Sequence, residues 1–251
     1  MDKCAKTKKK YFLCRGNCGL QIEGEQMGQH IRRDHADVAW RLYAEIYANK
    51  MWFGQNNQDK TFVERFTEAV THDLLHDLFC KYGLIRNFSG SPDLGEFACM
   101  LNGYRDQAIA KDRVPGVVEQ EVAGMKKVYG FEPLSAVTKS FWMMKQHPIV
   151  IKDNKAREGL RRRGLRPGTT YSTYYSAWFQ FHDDPETQRG LEDALSSFPQ
   201  SSTARKIIDK GRADAAEIER LARSSLMRNR VVDMRLLYEG GGYLEDVEGA
   251  S

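Results

Sequence analysis

Cysteine is scarce in this chain of 251 residues, and what there is does not form a framework. The five cysteines are an odd number: Cys14 and Cys18 lie close together upstream of a histidine pair, while Cys4, Cys80 and Cys99 are scattered. This excludes a disulfide scaffold and fits a reducing compartment with one metal site. Long apolar runs are also lacking. None approaches the ~20 residues needed to span a bilayer, so no membrane partner is expected. The N-terminal lysines are not followed by an apolar core, which argues against a secretory signal and for a cytoplasmic protein. Neither a phosphate-cradling GxxxxGK loop nor a nucleophile elbow is present, which disfavours P-loop ATPases, kinases and α/β-hydrolases. Large net charge is missing as well. A formal charge of +4 and a pI of about 8.7 permit a DNA partner without requiring one.

With 41% hydrophobic residues, the chain has enough apolar content for one substantial core and a small satellite module. Basic residues gather at Lys6 to Lys10, at Arg32 and Arg33, and from Lys152 to Arg166, whereas Glu239 to Glu248 is acidic. Apolar spacing predicts helices over 38–51, 62–82, 95–111, 115–129, 134–144, 153–163, 171–181, 186–197 and 203–228. No strand is expected beyond the first forty residues. The class is mainly α, with the division 1–36, 37–239 and a disordered acidic tail over 240–251.

Two stretches carry chemistry. The first reads Phe12-Leu13-Cys14, three residues, Cys18, eleven residues, His30, four residues, His35. Thiolate and imidazole are good ligands for a tetrahedral, borderline-soft cation, so Cys14, Cys18, His30 and His35 are expected to hold one structural zinc. This spacing resembles the Cys2His2 zinc finger, a small ββα unit; Phe12, Ile22 and Met27 fall at that family's core positions. Gln26, Gln29, Arg32 and Arg33 would lie on or near its helix, within reach of DNA. A single finger reads only about three base pairs, so it would act as an accessory grip or cap.

The second stretch is Val137-Thr138-Lys139-Ser140-Phe141-Trp142, followed by Pro148-Ile149-Val150-Ile151-Lys152-Asp153. It places a lysine in an apolar helix and then an aspartate at the end of a proline-led extended segment. Desolvation lowers the pKa of a lysine and makes it a usable nucleophile. Taken singly, Lys139 reads sooner as a snorkelling lysine and Asp153 sooner as a helix N-cap than as catalytic groups. Together with the downstream Ala156, Arg157, Leu160, Tyr171, Tyr174, Tyr175 and Trp178, the pattern over roughly 128–198 resembles the 8-oxoguanine-glycosylase-like branch of the helix-hairpin-helix DNA glycosylases. That family's gripping hairpin would fall at Tyr129-Gly130-Phe131-Glu132-Pro133, with Glu132 where the family has a second glycine.

The resemblance implies a helical glycosylase domain acting on double-stranded DNA that carries a damaged or modified base. Lys139 would attack the sugar and Asp153 would stabilise the cationic sugar. Gly130, Arg157, Arg161, Arg162 and Arg163 would grip phosphates. Trp142, Tyr171, Tyr174, Tyr175 and Trp178 would line the base pocket. Oxidised guanine and a hypermodified phage base both fit, which leaves repair and defence open, as it does hydrolysis against lyase chemistry. The chain is expected to be a monomer. The alternative is a non-enzymatic zinc-finger DNA-binding protein with a helical partner-binding domain. The pair His72 and His76, at i and i+4, is read as surface or packing.

Overall fold

The computed structural model describes residues 11–13, 21–23, 36–54, 58–90 and 92–241. At the N-terminus, strands β1 (Tyr11–Leu13) and β2 (Gln21–Glu23) pair antiparallel, with Phe12 directly opposite Ile22 in the ladder. The remainder is helical, in the order α1 Ala36–Ile46, α2 Gln58–Arg65, α3 His72–Lys81, α4 Gly95–Gly103, α5 Val114–Tyr129, α6 Leu134–Lys145, α7 Asn154–Arg162, α8 Tyr171–His182, α9 Pro185–Ser197, α10 Ser202–Asp209, α11 Ala215–Ala222 and α12 Ser225–Glu239. The protein is therefore mainly α, as expected. Among the described residues no helix is long and apolar enough to cross a membrane.

Most helices fall where the apolar periodicity puts them, and the differences have local causes. The expected helix over 62–82 is broken between Phe66 and Thr71. There the side-chain amide of Asn102 accepts from Val70 N (3.0 Å) and donates to Val70 O (2.8 Å), and Thr71 caps α3 through Leu74 N. The expected helix over 203–228 is three. Gly211, at φ 64°, follows α10; a reciprocal capping box of Asp214 and Glu217 opens α11; Ser224 caps α12. Helix α1 runs directly into a π turn, Tyr47–Trp52, in which Phe53 N reaches back five residues to Ala48 O.

Helix α1 lies against α9 and α12, and α12 lies along α7, which makes one group. The middle of the chain forms a second group, in which α4 packs on α3 and α5, and α5 packs on α6 and α8. Helix α6 also touches α2, so it stands where the two groups adjoin. The closest helix crossing is that of α7 on α12. A Cβ at Gly159 would lie 2.1 Å from the backbone oxygen of Leu236, so only glycine allows this approach.

Candidate functional site

Helix α6 carries Lys139 between buried neighbours, Thr138 and Ser140. The helix ends where Gln146 adopts φ 55° and Pro148 begins an extended run to Asp153. Four side chains hold this run in place. The Thr138 hydroxyl donates to Leu134 O (2.9 Å) and accepts from Lys152 N (3.2 Å), tying the helix to the segment leaving it. The Tyr171 phenol donates to Val150 O (2.9 Å) and accepts from Val150 N (3.2 Å). Tyr174 donates to Ile151 O at 3.1 Å, and the Tyr175 oxygen lies 3.2 Å from Pro148 O. Buried hydrogen bonds of this kind contribute about 1 kcal/mol each, and deleting one donor strands a desolvated carbonyl at about 1–3 kcal/mol. Burial raises the pKa of all three phenols, so they remain protonated donors.

The run delivers Asp153 in an extended conformation at the N-cap of α7. Its carboxylate accepts from Lys155 N (2.6 Å) and Ala156 N (3.3 Å) and keeps partial exposure. The cap locks the side chain by the backbone of the helix it begins.

The amine of Lys139 lies 4.0 Å from the centre of the Tyr82 ring. Behind that ring is a buried ionic network. The Tyr82 phenol donates to Asp59, which is fully buried; Asp59 accepts from Arg230 Nε at 3.1 Å. Arg230 also donates to Asp233 at 3.1 Å, and Asp233 accepts from Trp178 Nε1 at 2.8 Å. The guanidinium faces the Trp142 ring at 4.9 Å. Burial, then the nearby Arg230 charge, lowers the Lys139 pKa to about 8; Asp59, Asp153 and Asp233 pull the other way. Burial raises the Asp233 carboxyl above the ordinary carboxylate range, against the pull of Arg230. Burial also works against the Arg230 charge, and the two aspartates more than offset it.

The structure thus sets Asp153 among the charges that act on Lys139 and adds Asp59, Tyr82, Arg230 and Asp233, which the sequence reading did not single out. One signal for them was available. Arg230 and Asp233 stand at i and i+3 beside Val231, Val232 and Leu236 on a helix whose apolar side must be buried.

The aromatic set reads differently in three dimensions. Trp142, Tyr171, Tyr174, Tyr175 and Trp178 are all buried core side chains. Their hydroxyl and indole groups, Trp142 excepted, are engaged within the protein. They brace the Pro148 to Asp153 run rather than offering an open stacking wall. Two surface grooves flank the turn after α6, one lined by Trp52, Phe53, Lys60 and Gln146, the other by Arg105, Lys145, His147 and Pro148; Lys139 and Asp153 line neither.

The basic residues divide as well. Arg163, itself exposed, makes a two-pronged bridge to the buried Glu239 and lies 4.5 Å from the Phe181 ring. Arg161 and Arg162 remain half exposed beside Glu158. Arg157 is partly buried, with its Nε lacking a partner. Gly130 takes the left-handed conformation (φ 76°) that closes α5, and its N–H is spent on Lys126 O at 2.9 Å, so it does not face outward as a phosphate donor. Glu132 is exposed, and its charge bears on Lys152.

Cys14, Cys18, His30, His35, Arg32 and Arg33 lie outside the described residues. Among the described residues no group of three or more His, Cys, Asp or Glu side chains is placed to hold a metal. His72 and His76 stack at 6.3 Å on an exposed face of α3, His72 bonded to Asp73. No known protein family, curated protein or solved structure matches the chain.

Proposed function

We propose that this protein is a DNA glycosylase of the helix-hairpin-helix kind, which excises a damaged or modified base through Lys139 and Asp153. The single observation that carries the reading is the field that joins the two residues. A desolvated lysine amine with its pKa lowered to about 8 feels the charge of a rigidly capped carboxylate, although fourteen positions separate them in the chain. A protein that only bound DNA would have no use for an amine held near neutrality.

In the proposed reaction the N-glycosidic bond breaks and the base leaves with the bonding pair, taking up a proton. The Asp153 carboxylate stabilises the positive charge that develops on the sugar, where a fixed charge is worth most. The Lys139 amine, as free base, attacks the anomeric carbon and loses a proton; ring opening then gives a Schiff base that borohydride can reduce. On this reading α5, the turn at Gly130 to Pro133 and α6 would serve as the gripping hairpin and the lysine helix. DNA phosphates would meet Arg161 and Arg162 more readily than Arg163. The thiolate and imidazole set of Cys14, Cys18, His30 and His35 suits a structural zinc, and the cysteine pair falls in sequence between the paired strands β1 and β2.

The test is borohydride trapping on a panel of duplexes carrying oxidised and hypermodified bases. Wild type is expected to give a covalent protein–DNA adduct on one of them, and Lys139→Gln none. If the protein binds these duplexes but neither excises nor traps on any, the non-enzymatic DNA-binding reading replaces this one.

A further inference from the structure

The Lys139 amine is not free to meet a substrate as it stands. Among the described residues it has no hydrogen-bond or ion-pair partner; its close contact is the face of the Tyr82 ring, whose centre lies 4.0 Å away. A nucleophile must come within about 3–3.5 Å of the atom it attacks, so no sugar fits between the amine and this ring. Lys139 also lines neither of the two surface grooves. The ring is itself held. Tyr82 follows α3; its phenol donates to the buried Asp59 of α2, and its ring packs on Phe62 of the same helix at 6.0 Å. Two features let this hold be released. Asp59 keeps its pair with Arg230 at 3.1 Å when the phenol leaves, so release strands no buried charge. The next residue, Gly83, stands at φ 64° with nothing within 4 Å of where a Cβ would be, which leaves the backbone beside Tyr82 room to turn.

We propose that Tyr82 is a latch over the Lys139 amine, closed in the DNA-free protein and withdrawn when a nucleotide enters the site. Closed, the negative face of the ring attracts the ammonium over the free base and blocks one side of the nitrogen. The amine is then parked rather than poised. A lysine able to attack an anomeric carbon would also condense with free aldehydes, and a covering ring limits that side reaction. The bond from Tyr82 to Asp59 sets how firmly the latch is shut, because the ring is otherwise kept over the amine only by the cation–π contact and by Phe62. The proposal rests on the reading of Lys139 as nucleophile, but the cover over the amine can be measured without DNA.

The experiment is competitive trace labelling of the full chain with acetic anhydride at one fixed pH. Modification of Lys139 is read by peptide mass spectrometry against the exposed Lys155 in the same digest, and amide hydrogen exchange across α6 is followed in parallel. In the wild type Lys139 should label roughly tenfold more slowly than Lys155, the scale of a desolvated cation–π contact. Tyr82→Phe keeps the ring and removes the bond to Asp59, and should raise Lys139 labelling several-fold. Tyr82→Leu removes the ring and should raise it further, toward the Lys155 rate, with α6 exchange unchanged in both variants. Lys139 labelling equal in wild type and Tyr82→Leu would show that the ring covers nothing; equal in wild type and Tyr82→Phe, that the phenol holds nothing. Either result overturns the proposal. A merely structural Tyr82 would loosen α6 as it exposed the amine, so faster labelling joined to faster α6 exchange overturns it as well. If Tyr82→Leu does not fold, Tyr82→Phe decides. On the duplex that traps wild type, Tyr82→Phe should trap at least as fast; slower trapping would mean that the closed ring assists the chemistry, against the proposal. A chain that traps no DNA but shows the ordered rise in labelling would sink the glycosylase reading and leave the latch standing.

Discussion

Asp153 is both a helix cap and the proposed catalytic carboxylate, and two substitutions separate the roles. Its side chain accepts from Lys155 N and Ala156 N, so an asparagine at 153, which caps about as well as aspartate, can keep the same bonds. Asp153→Asn should therefore cost at most about 0.5 kcal/mol, the part owed to the helix dipole. Asp153→Ala loses the cap as well and should cost about 1 kcal/mol more, which for a domain of this size lowers Tm by roughly 2–4 °C. Excision should respond otherwise. Losing one well-placed electrostatic contact in a site of this kind raises the barrier by about 3 kcal/mol, near a hundredfold in rate, and both variants lose it. The fall cannot be blamed on a protonated lysine, because removing the Asp153 charge favours the free amine of Lys139. Thermal melts paired with single-turnover excision on the duplex that traps wild type would measure both effects. Wild-type excision by Asp153→Asn would refute the catalytic assignment. Equal loss of stability in both variants would refute the capping argument.

Three further expectations follow from the same residues. One zinc per chain should copurify and be lost in Cys18→Ala; metal analysis finding none in the wild type, or unchanged zinc in the variant, would remove the finger from the account. DNA binding should weaken steeply with salt, and neutral replacements at Arg161 and Arg162, or across Lys6 to Lys10, should flatten the slope, whereas Arg163→Gln should leave it nearly unchanged. Arg163→Gln should act on stability. Burial works to raise the Glu239 carboxyl, but Arg163 and Arg235 hold it below its usual range. This contribution is present above the unfolded value of ~4.3 and is lost as pH falls through the lower folded value. Denaturant unfolding of the wild type from pH 6 downward should show that loss, and in the variant it should be much reduced.

Element type was largely legible in the sequence, because apolar residues at helical spacing must share a face and that face must be buried. Helices α5 to α9 lie within a residue or two of where the spacing puts them. The breaks in the runs 62–82 and 203–228 were partly legible. Thr71, Gly211, the Asp214 and Glu217 capping box and Ser224 are ordinary local signals, but the amide of Asn102 on the backbone of Val70 is a contact across thirty-two positions. Lys139 and Asp153 were nameable because both sit on one short stretch with a recognisable rhythm.

Tertiary structure decided what surrounds them. Asp59 and Arg230 are 171 positions apart, and nothing local marks a charged residue as the one whose desolvation is offset by a partner from another helix. It also decided the fate of the tyrosines and of Arg163. A phenol or a guanidinium has the same composition whether it faces solvent, a base or a carbonyl. Tyr171, Tyr174 and Tyr175 became braces for the Pro148 to Asp153 run, and Arg163 the partner of Glu239, because buried backbone and buried carboxylates must find donors, and those were the ones the packing of α7, α8 and α12 brought within reach.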